Sequence, residues 1–387
     1  MLTCKRDFFS IPEDEHYLNA AYMGPLSRAS QEAAQRGVRR KAHPYTIEAK
    51  DFFEESDEAR ALFARLVNIA DPQSVALIPA VSYGVGIAAG NLGARAGQCI
   101  VLVDEEFPSN VYPWRALARE RGLHIRTVSA PVAVPDRGQE WSQAVVDAID
   151  PNTACVAVPQ VHWADGTVFD LDRIARRCRE VSAMLVVDGT QSVGAFPFDV
   201  ERIRPDVLVV AGYKWLLGPY SLGLLYLGPR VLAEGRPLEE TWLGRVGAED
   251  FAGLVRYRDE YQQGAARFDV GERSNFLLMP VLVSALRQTL EWGVEEIQGY
   301  CRTLSGPLVE EARRLGFSAE HEAWRSPHLF GLRLPAGLDP ARLQQALAER
   351  AVHVSRRGSA LRIAPHVYND KRDMAALREA LQAAVAG

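Results

Sequence analysis

Two residues placed at the ends of apolar runs carry the chemistry this chain has to offer. Lys214 comes shortly after Val207, Leu208, Val209 and Val210, and Asp188 directly after Met184, Leu185, Val186 and Val187. Both runs are short, apolar throughout and rich in valine, the character of strands buried on both faces of a parallel sheet. A solvated surface lysine is not expected there, and open α/β sheets bind ligands at the carboxyl ends of their strands. Gln191 lies three residues beyond Asp188. An amine and a carboxylate at one sheet edge suit pyridoxal phosphate, whose aldehyde needs a lysine for a Schiff base and whose pyridine nitrogen needs a carboxylate to stay protonated. Taken singly, Asp188 reads as a helix cap and Lys214 as a snorkelling strand-end lysine; the pairing favours the cofactor.

The elements that must position these groups alternate along the chain. Strands are expected at Val75–Ile78, Cys99–Val103, Ile125–Val128, Ala154–Val158, Met184–Val187, Val207–Val210 and Leu222–Leu227, with helix-like stretches such as Glu48–Ile69, Val111–Arg121 and Leu171–Val181 between them. That alternation predicts an α/β fold with a mostly parallel seven-stranded sheet sandwiched by helices. Beyond about Arg258 the pattern changes. A long helical segment from Pro280 into the 310s, Leu329–Leu334, a helix Pro340–Arg350, a strand Leu361–Ala364 and a closing helix predict a smaller α+β C-terminal domain. The expected division is 16–258 for the large domain and 259–387, with an N-terminal arm 1–15, for the small one.

A phosphate would need a cradle, and the small-residue stretch from Ala80 to Gly90 offers one at a strand-to-helix junction, where free N–H groups collect. Its glycines, Gly84, Gly86 and Gly90, are spaced one residue too widely for a dinucleotide fingerprint, which counts against an oxidoreductase. Gly218 to Gly223 likewise misses the nucleophile elbow of serine hydrolases by one position.

Composition narrows the class further. The 387 residues include 44 basic and 49 acidic ones, a net charge of −5 that argues against a nucleic-acid partner and against a polybasic membrane anchor. No apolar run approaches the ~18 residues of a membrane span, and the first residues lack the apolar core of a signal peptide, so a cytoplasmic protein is expected. The five cysteines are widely spaced and odd in number, which argues against a disulfide framework. No tight histidine or cysteine set suggests a metal.

The collinear order of Tyr17-Leu18-Asn19-Ala20-Ala21, the Ser82 turn, Glu106-Phe107-Pro108-Ser109-Asn110, Asp188-Gly189-Thr190-Gln191, Gly212-Tyr213-Lys214-Trp215 and Arg362 resembles the class V aminotransferase family of fold-type-I pyridoxal phosphate enzymes. Cysteine desulfurases, selenocysteine lyases, kynureninase and isopenicillin epimerases belong to that group. The resemblance implies that Lys214 is the Schiff-base lysine, that Asp188 partners the pyridine nitrogen and that Gln191 contacts the 3′ oxygen. It implies that Val81 and Ser82 grip the phosphate with help from Tyr213, and that Phe107 stacks on the ring where many relatives use histidine. Trp163 stands where desulfurases place an asparagine near the cofactor, Arg362 matches the clamp for the substrate α-carboxylate, and Asn19 falls on the substrate side. Ser274 and Asn275 fall where relatives lend phosphate contacts from a neighbouring subunit, which implies a homodimer with shared sites.

The expected reaction begins with an α-amino acid joined to the cofactor and Lys214 removing its α-proton. The stretch Ser355–Leu361, where desulfurases of this family carry a persulfide-forming cysteine, has none. On that ground an aminotransferase is expected, with a β-eliminating C–S lyase or an amino-acid epimerase as the alternatives and persulfide-relay desulfuration excluded. A binding protein without turnover is disfavoured by the joint presence of Lys214, Asp188, Gln191 and Arg362. Arg356 and Arg357 are either solvated charges or partners for an acidic substrate side chain, and His162 and Asp165 either supply polarity beside Trp163 or only pack the loop.

Overall fold

The structure, a computed structural model, describes residues 2–132 and 136–386; Met1 and Gly387, the outer limits of the expected domains, lie outside the described residues. After a two-residue strand β1 (His16–Tyr17), the apolar runs form β2 (Val75–Ile78), β3 (Cys99–Val103), β4 (His124–Val128), β5 (Thr153–Pro159), β6 (Met184–Asp188), β7 (Val207–Ala211) and β8 (Gly223–Leu227). These seven make one sheet in the order β2-β8-β7-β6-β5-β3-β4. Only β8 runs antiparallel to its neighbours; the pairs from β7 to β4 are parallel. The mostly parallel sheet expected from the sequence is therefore present.

Its strands are apolar on both faces because helices cover both. Leu208 and Val210 of β7 pack with Val187 and Val158 on one side, while Val207 and Val209 pack with Val186 and Ala157 on the other. That is the two-residue alternation of a strand with no solvent face, each fully buried valine or leucine contributing roughly 1.5–3 kcal/mol. Edge strand β4 is partly exposed. Because β3 has β4 on one side and β5 on the other, the chain winds in opposite directions from this point, and a crevice opens at the carboxyl ends.

The smaller lobe contains β9 (Phe330–Arg333), β10 (Val352–His353), β11 (Ser355–Arg357) and β12 (Ala360–Ile363). β11, β12 and β9 form an antiparallel sheet, and β10 pairs with β1. The single long helix expected after Pro280 is two helices, Met279–Trp292 and Val294–Arg314. Gly293 separates them at φ 76°, a value that glycine adopts without the clash a Cβ would cause.

The N-terminal segment ties this lobe to the lysine loop. Asn19 bridges to Ala364, and the Gly24 amide donates to the Tyr213 carbonyl over 2.8 Å. A Cβ on Gly24 would lie 2.1 Å from the Lys214 carbonyl oxygen, so only glycine lets the two backbones approach this closely.

Candidate active site

β7 ends at Ala211, and the chain turns through Gly212 and Tyr213 to Lys214; β6 ends on Asp188. Adjacent pairing of these strands brings amine and carboxylate to the same crevice. A cavity of about 300 Å³ lies there, its wall including Val81, Ser82, Phe107, Trp163, Asp188, Gln191, Tyr213 and Lys214. Eight of the residues singled out in the sequence thus meet at one place, although they come from five separate stretches of chain.

Lys214 is 5% exposed. Burial lowers its pKa to about 8, against the pull of Asp188 and with the repulsion of Arg362 and Arg357. Its Nζ lies 5.2 Å from the centre of the Phe107 ring and 5.5 Å from that of Tyr213. Asp188 is 6% exposed, and the Thr190 amide donates to its Oδ1 over 2.9 Å. Burial raises the Asp188 pKa despite Thr190 and the charge of Lys214. That carboxylate is short of positive partners, which is what a protonated ring nitrogen would supply.

Val81 and Ser82 open the helix Val81–Gly90, whose N-cap Ala80 makes no side-chain cap. First-turn amides have no acceptor within their own helix, so this end is suited to an anion. Gln191 accepts from Trp215 Nε1 over 2.9 Å and donates to the Ala21 carbonyl over 3.2 Å, which locks its side chain at the cavity wall. Trp163 donates from Nε1 to the Glu105 carbonyl over 2.6 Å and meets Phe107 edge-on with ring centres 5.4 Å apart. Around this wall Glu105, Leu217 and Ser221 adopt positive φ, and such strain recurs where a site over-determines its backbone. A basic amine, a carboxylate, a flat ring and free amides at a helix start fit pyridoxal 5′-phosphate.

The remaining expected residues stand elsewhere. Arg362, on β12 and 1% exposed, donates to the Trp163 carbonyl over 3.0 Å but leaves Nε and Nη2 unpartnered. Burial, then the repulsion of Arg357, lowers its pKa to about 9. It does not line the 300 Å³ cavity, yet it acts on Lys214 as a like charge. Asn19 accepts from the Ser355 hydroxyl over 2.9 Å, on the small-lobe side. Ser274 donates to the Phe52 carbonyl, and Asn275 accepts from the Leu277 and Leu278 amides ahead of the helix Met279–Trp292. Neither lines the cavity of its own chain.

Glu106 and Tyr220 have no role expected from the sequence, and Asp165 only that of polarity beside Trp163 or of loop packing. Glu106 lines the cavity, and burial, followed by the charge of Asp188, pushes its pKa up to about 7. Its oxygens accept from the Phe107 and Asn110 side of the loop. Tyr220 packs at a tilt against Tyr213, ring centres 4.7 Å apart. Behind Trp163, Asp165 pairs with Arg137 and Arg333 at 3.0 and 3.1 Å and with His162 at 3.4 Å. The sequence signal for Glu106 and Asp165 was a charged residue within two positions of Phe107 or Trp163; Tyr220, six residues past Lys214, had no such signal.

Burial alone would raise the pKa of Asp165, but His162, Arg137 and the Thr167 hydroxyl hold it well below the usual carboxylate range. A folded pKa depressed in this way adds stability that is present above about pH 4 and is lost as pH falls further. Asp165→Asn is expected to melt below the wild type at pH 7, with the difference shrinking below about pH 4. Thermal denaturation across that range checks it, and a constant difference would refute the ion-pair account.

Four of the cysteines are buried, and Cys4 is exposed. Cys301 is pushed up to about 12 by burial, and its thiol donates toward the Pro365 carbonyl over 3.6 Å. Among the described residues no group of histidine, cysteine, aspartate and glutamate is arranged to hold a metal, and no helix is long and apolar enough to cross a membrane.

The family model described as aminotransferase class-V matches residues 28–379. Isopenicillin N epimerase of Streptomyces clavuligerus is 30% identical over 384 residues, covering 95% of this chain and 94% of that one. A probable cysteine desulfurase of Methanothermobacter thermautotrophicus is 36% identical over 182 residues, 47% of this chain and 44% of that protein. Among solved structures, the cystine C–S lyase C-DES with its product cysteine persulfide superposes with a TM-score of 0.84 at 22% identity, covering 95% of this chain and 97% of that one.

These likenesses overturn the expectation of an aminotransferase and the exclusion of desulfurase chemistry that went with it, because the similar proteins include C–S lyases and desulfurases. The reason is chemical. The roles expected of Lys214 and Arg362, α-proton removal and α-carboxylate binding, are common to transamination and elimination, so they never distinguished the two. A missing loop cysteine, too, says nothing about a substrate that brings its own sulfur.

Proposed function

This chain belongs to the class V aminotransferase family, and from that premise we propose that it is a pyridoxal 5′-phosphate-dependent C–S lyase. Its substrate would be an α-amino acid with sulfur on the β-carbon. The observation that carries the reading is the apolar part of the cavity beside the amine. Phe107, Trp163, Val161 and Pro159 form an apolar stretch of the lining, the Trp163 N–H being spent on the Glu105 carbonyl, while Lys214 is a buried amine with a pKa of about 8. A sulfur leaving group departs as an anion without an acid to assist it, unlike oxygen or nitrogen.

Bound pyridoxal 5′-phosphate supplies an aldehyde that condenses with amines and a ring that accepts the electron pair of the α-carbon. Asp188 would keep the ring nitrogen protonated, Phe107 would cover one ring face, and the Val81 and Ser82 amides would hold the phosphate. Arg362 would orient the substrate through its α-carboxylate with its two unpartnered donors, Nε and Nη2. Lys214 Nζ would take the α-proton, the β-carbon–sulfur bond would break with its electron pair on sulfur, and the released aminoacrylate would take up one water to give pyruvate and ammonia. Epimerization would need a second proton carrier, which Phe107 cannot be and for which the cavity offers Glu106.

The test is to incubate the cofactor-loaded enzyme with cystine and with cysteine and to measure pyruvate, ammonia and sulfur products. Equimolar pyruvate and ammonia, with the sulfur in solution, is the expected result. Inversion at the α-carbon without loss of sulfur, or sulfur recovered covalently on the protein, would overturn the reading. We further propose that the enzyme is a cytoplasmic homodimer in which Ser274 and Asn275 serve the partner's phosphate site, a point that sedimentation and Ser274→Ala cofactor affinity would check.

A further inference from the structure

Arg357 ends β11 at the tip of the β11–β12 hairpin, where Gly358 turns the chain at φ 53°. Its guanidinium carbon lies 5.5 Å from the centre of the Trp163 ring, and that of Arg362 lies 5.9 Å from the same ring. Two guanidinium groups thus share one indole, which itself walls the cofactor cavity. The Nε–H of Arg357 is buried and unpartnered among the described residues, and its Nη1 is spent only on the neighbouring Arg356 carbonyl at 2.8 Å.

A second cleft adjoins Trp163. It measures about 780 Å³ and is bordered by Asp104, Glu105, Arg137, Asp165, Arg333 and Arg357. Trp163 touches both spaces, lining the first and donating to the Glu105 carbonyl of the second. The other arginines of this cleft are already paired: Arg137 with Asp165 and Glu320, and Arg333 with Asp165. Arg357 is the arginine of this cleft that has no carboxylate among the described residues, and Asp104 and Glu105 disfavour an anion elsewhere in it. Arg357 and Arg362 also both act on Lys214 as like charges, lowering its pKa. A substrate with one carboxylate satisfies Arg362 and leaves Arg357 uncompensated.

Resting on the lyase reading, we propose that Arg357 and Trp163 form a subsite for a second carboxylate, so that the enzyme selects amino acids whose sulfur carries an anionic half. The class is a thioether or disulfide joining two carboxylate-bearing halves. The α-carboxylate goes to Arg362, and the distal one meets the free edge of Arg357 across the indole face.

Two probes that differ in one charge test this: S-(2-carboxyethyl)cysteine and its amide, S-(2-carbamoylethyl)cysteine. Dissociation constants are read from the change in the cofactor's visible absorbance on mixing, before turnover, for the wild-type holoenzyme, Arg357→Gln, Arg357→Lys and Arg356→Gln. The wild type is expected to bind the carboxylate about tenfold more tightly than the amide, the scale of a hydrogen bond to a charged group. Arg357→Gln should abolish the preference, Arg357→Lys should keep part of it, and Arg356→Gln, at an exposed neighbouring position, should leave it intact. Equal binding of both probes by the wild type, or a preference surviving in Arg357→Gln, would overturn the subsite. Pyruvate assayed in the same samples reports separately on the lyase reading: its absence beside an intact binding preference would sink that reading and leave the subsite standing.

Discussion

Lys214→Ala is expected to lower kcat/KM for C–S cleavage by on the order of 10³-fold or more, because one substitution removes both the cofactor's covalent anchor and the base. The fold should survive, and the cofactor-free variant should be more stable than the wild type. Burial lowers the Lys214 pKa to about 8, so the folded protein holds an ammonium in a poor solvent. That cost is full below about pH 8 and disappears above the ordinary lysine value near 10.4, and at pH 7 its removal should gain roughly 1–3 kcal/mol. Steady-state kinetics and thermal melts of cofactor-free protein at pH 7 and above pH 10 are the measurements. A variant keeping a tenth of wild-type activity would rule out Lys214 as the base. Equal melting temperatures at pH 7 would show that the ammonium is better solvated than its burial implies.

A loss of stability of about 3–5 kcal/mol is expected for Asp269→Ala, the usual scale when one partner of a buried charge network is removed. The Asp269 side chain is fully buried and accepts from Arg60 Nη2 at 2.5 Å, from Arg273 Nη1 at 2.9 Å and from the Leu77 amide at 2.7 Å. Arg60 also donates to the Val75 carbonyl, so the network joins the helix Glu54–Leu66 to both ends of β2. Without the carboxylate, two buried guanidinium groups and an amide lose their acceptor. Chemical denaturation measures the effect, and Asp269→Asn, which keeps an acceptor oxygen, should cost less. A loss under about 1 kcal/mol would mean that water replaces the carboxylate.

How much of this was legible in advance depends on the range over which each feature is built. β6 and β7 were readable because a strand buried on both faces must be apolar at every position, a property of consecutive residues. Asp188 and Lys214 were readable for the same reason, as polar residues where such runs stop. The break at Gly293 was not, since a helix can carry a glycine at modest cost and only the packing of the two flanking helices selected the turn. Glu106 and the Asp165 network escaped because their character comes from burial and from partners remote in sequence, Asp165 and Glu320 meeting at Arg137.

Arg362 and Arg357 draw the boundary most clearly. Their type and order in the chain already marked one for an α-carboxylate and left the other open. Which of their N–H groups stay unpartnered, and that both lean on Trp163, follows from hydrogen bonds and ring contacts made between the two lobes. Chain order thus carries the strands and the residues at their ends, because local burial writes itself into composition; charge compensation is a sum over neighbours in space, so the folded chain alone reveals which cations still lack an anion.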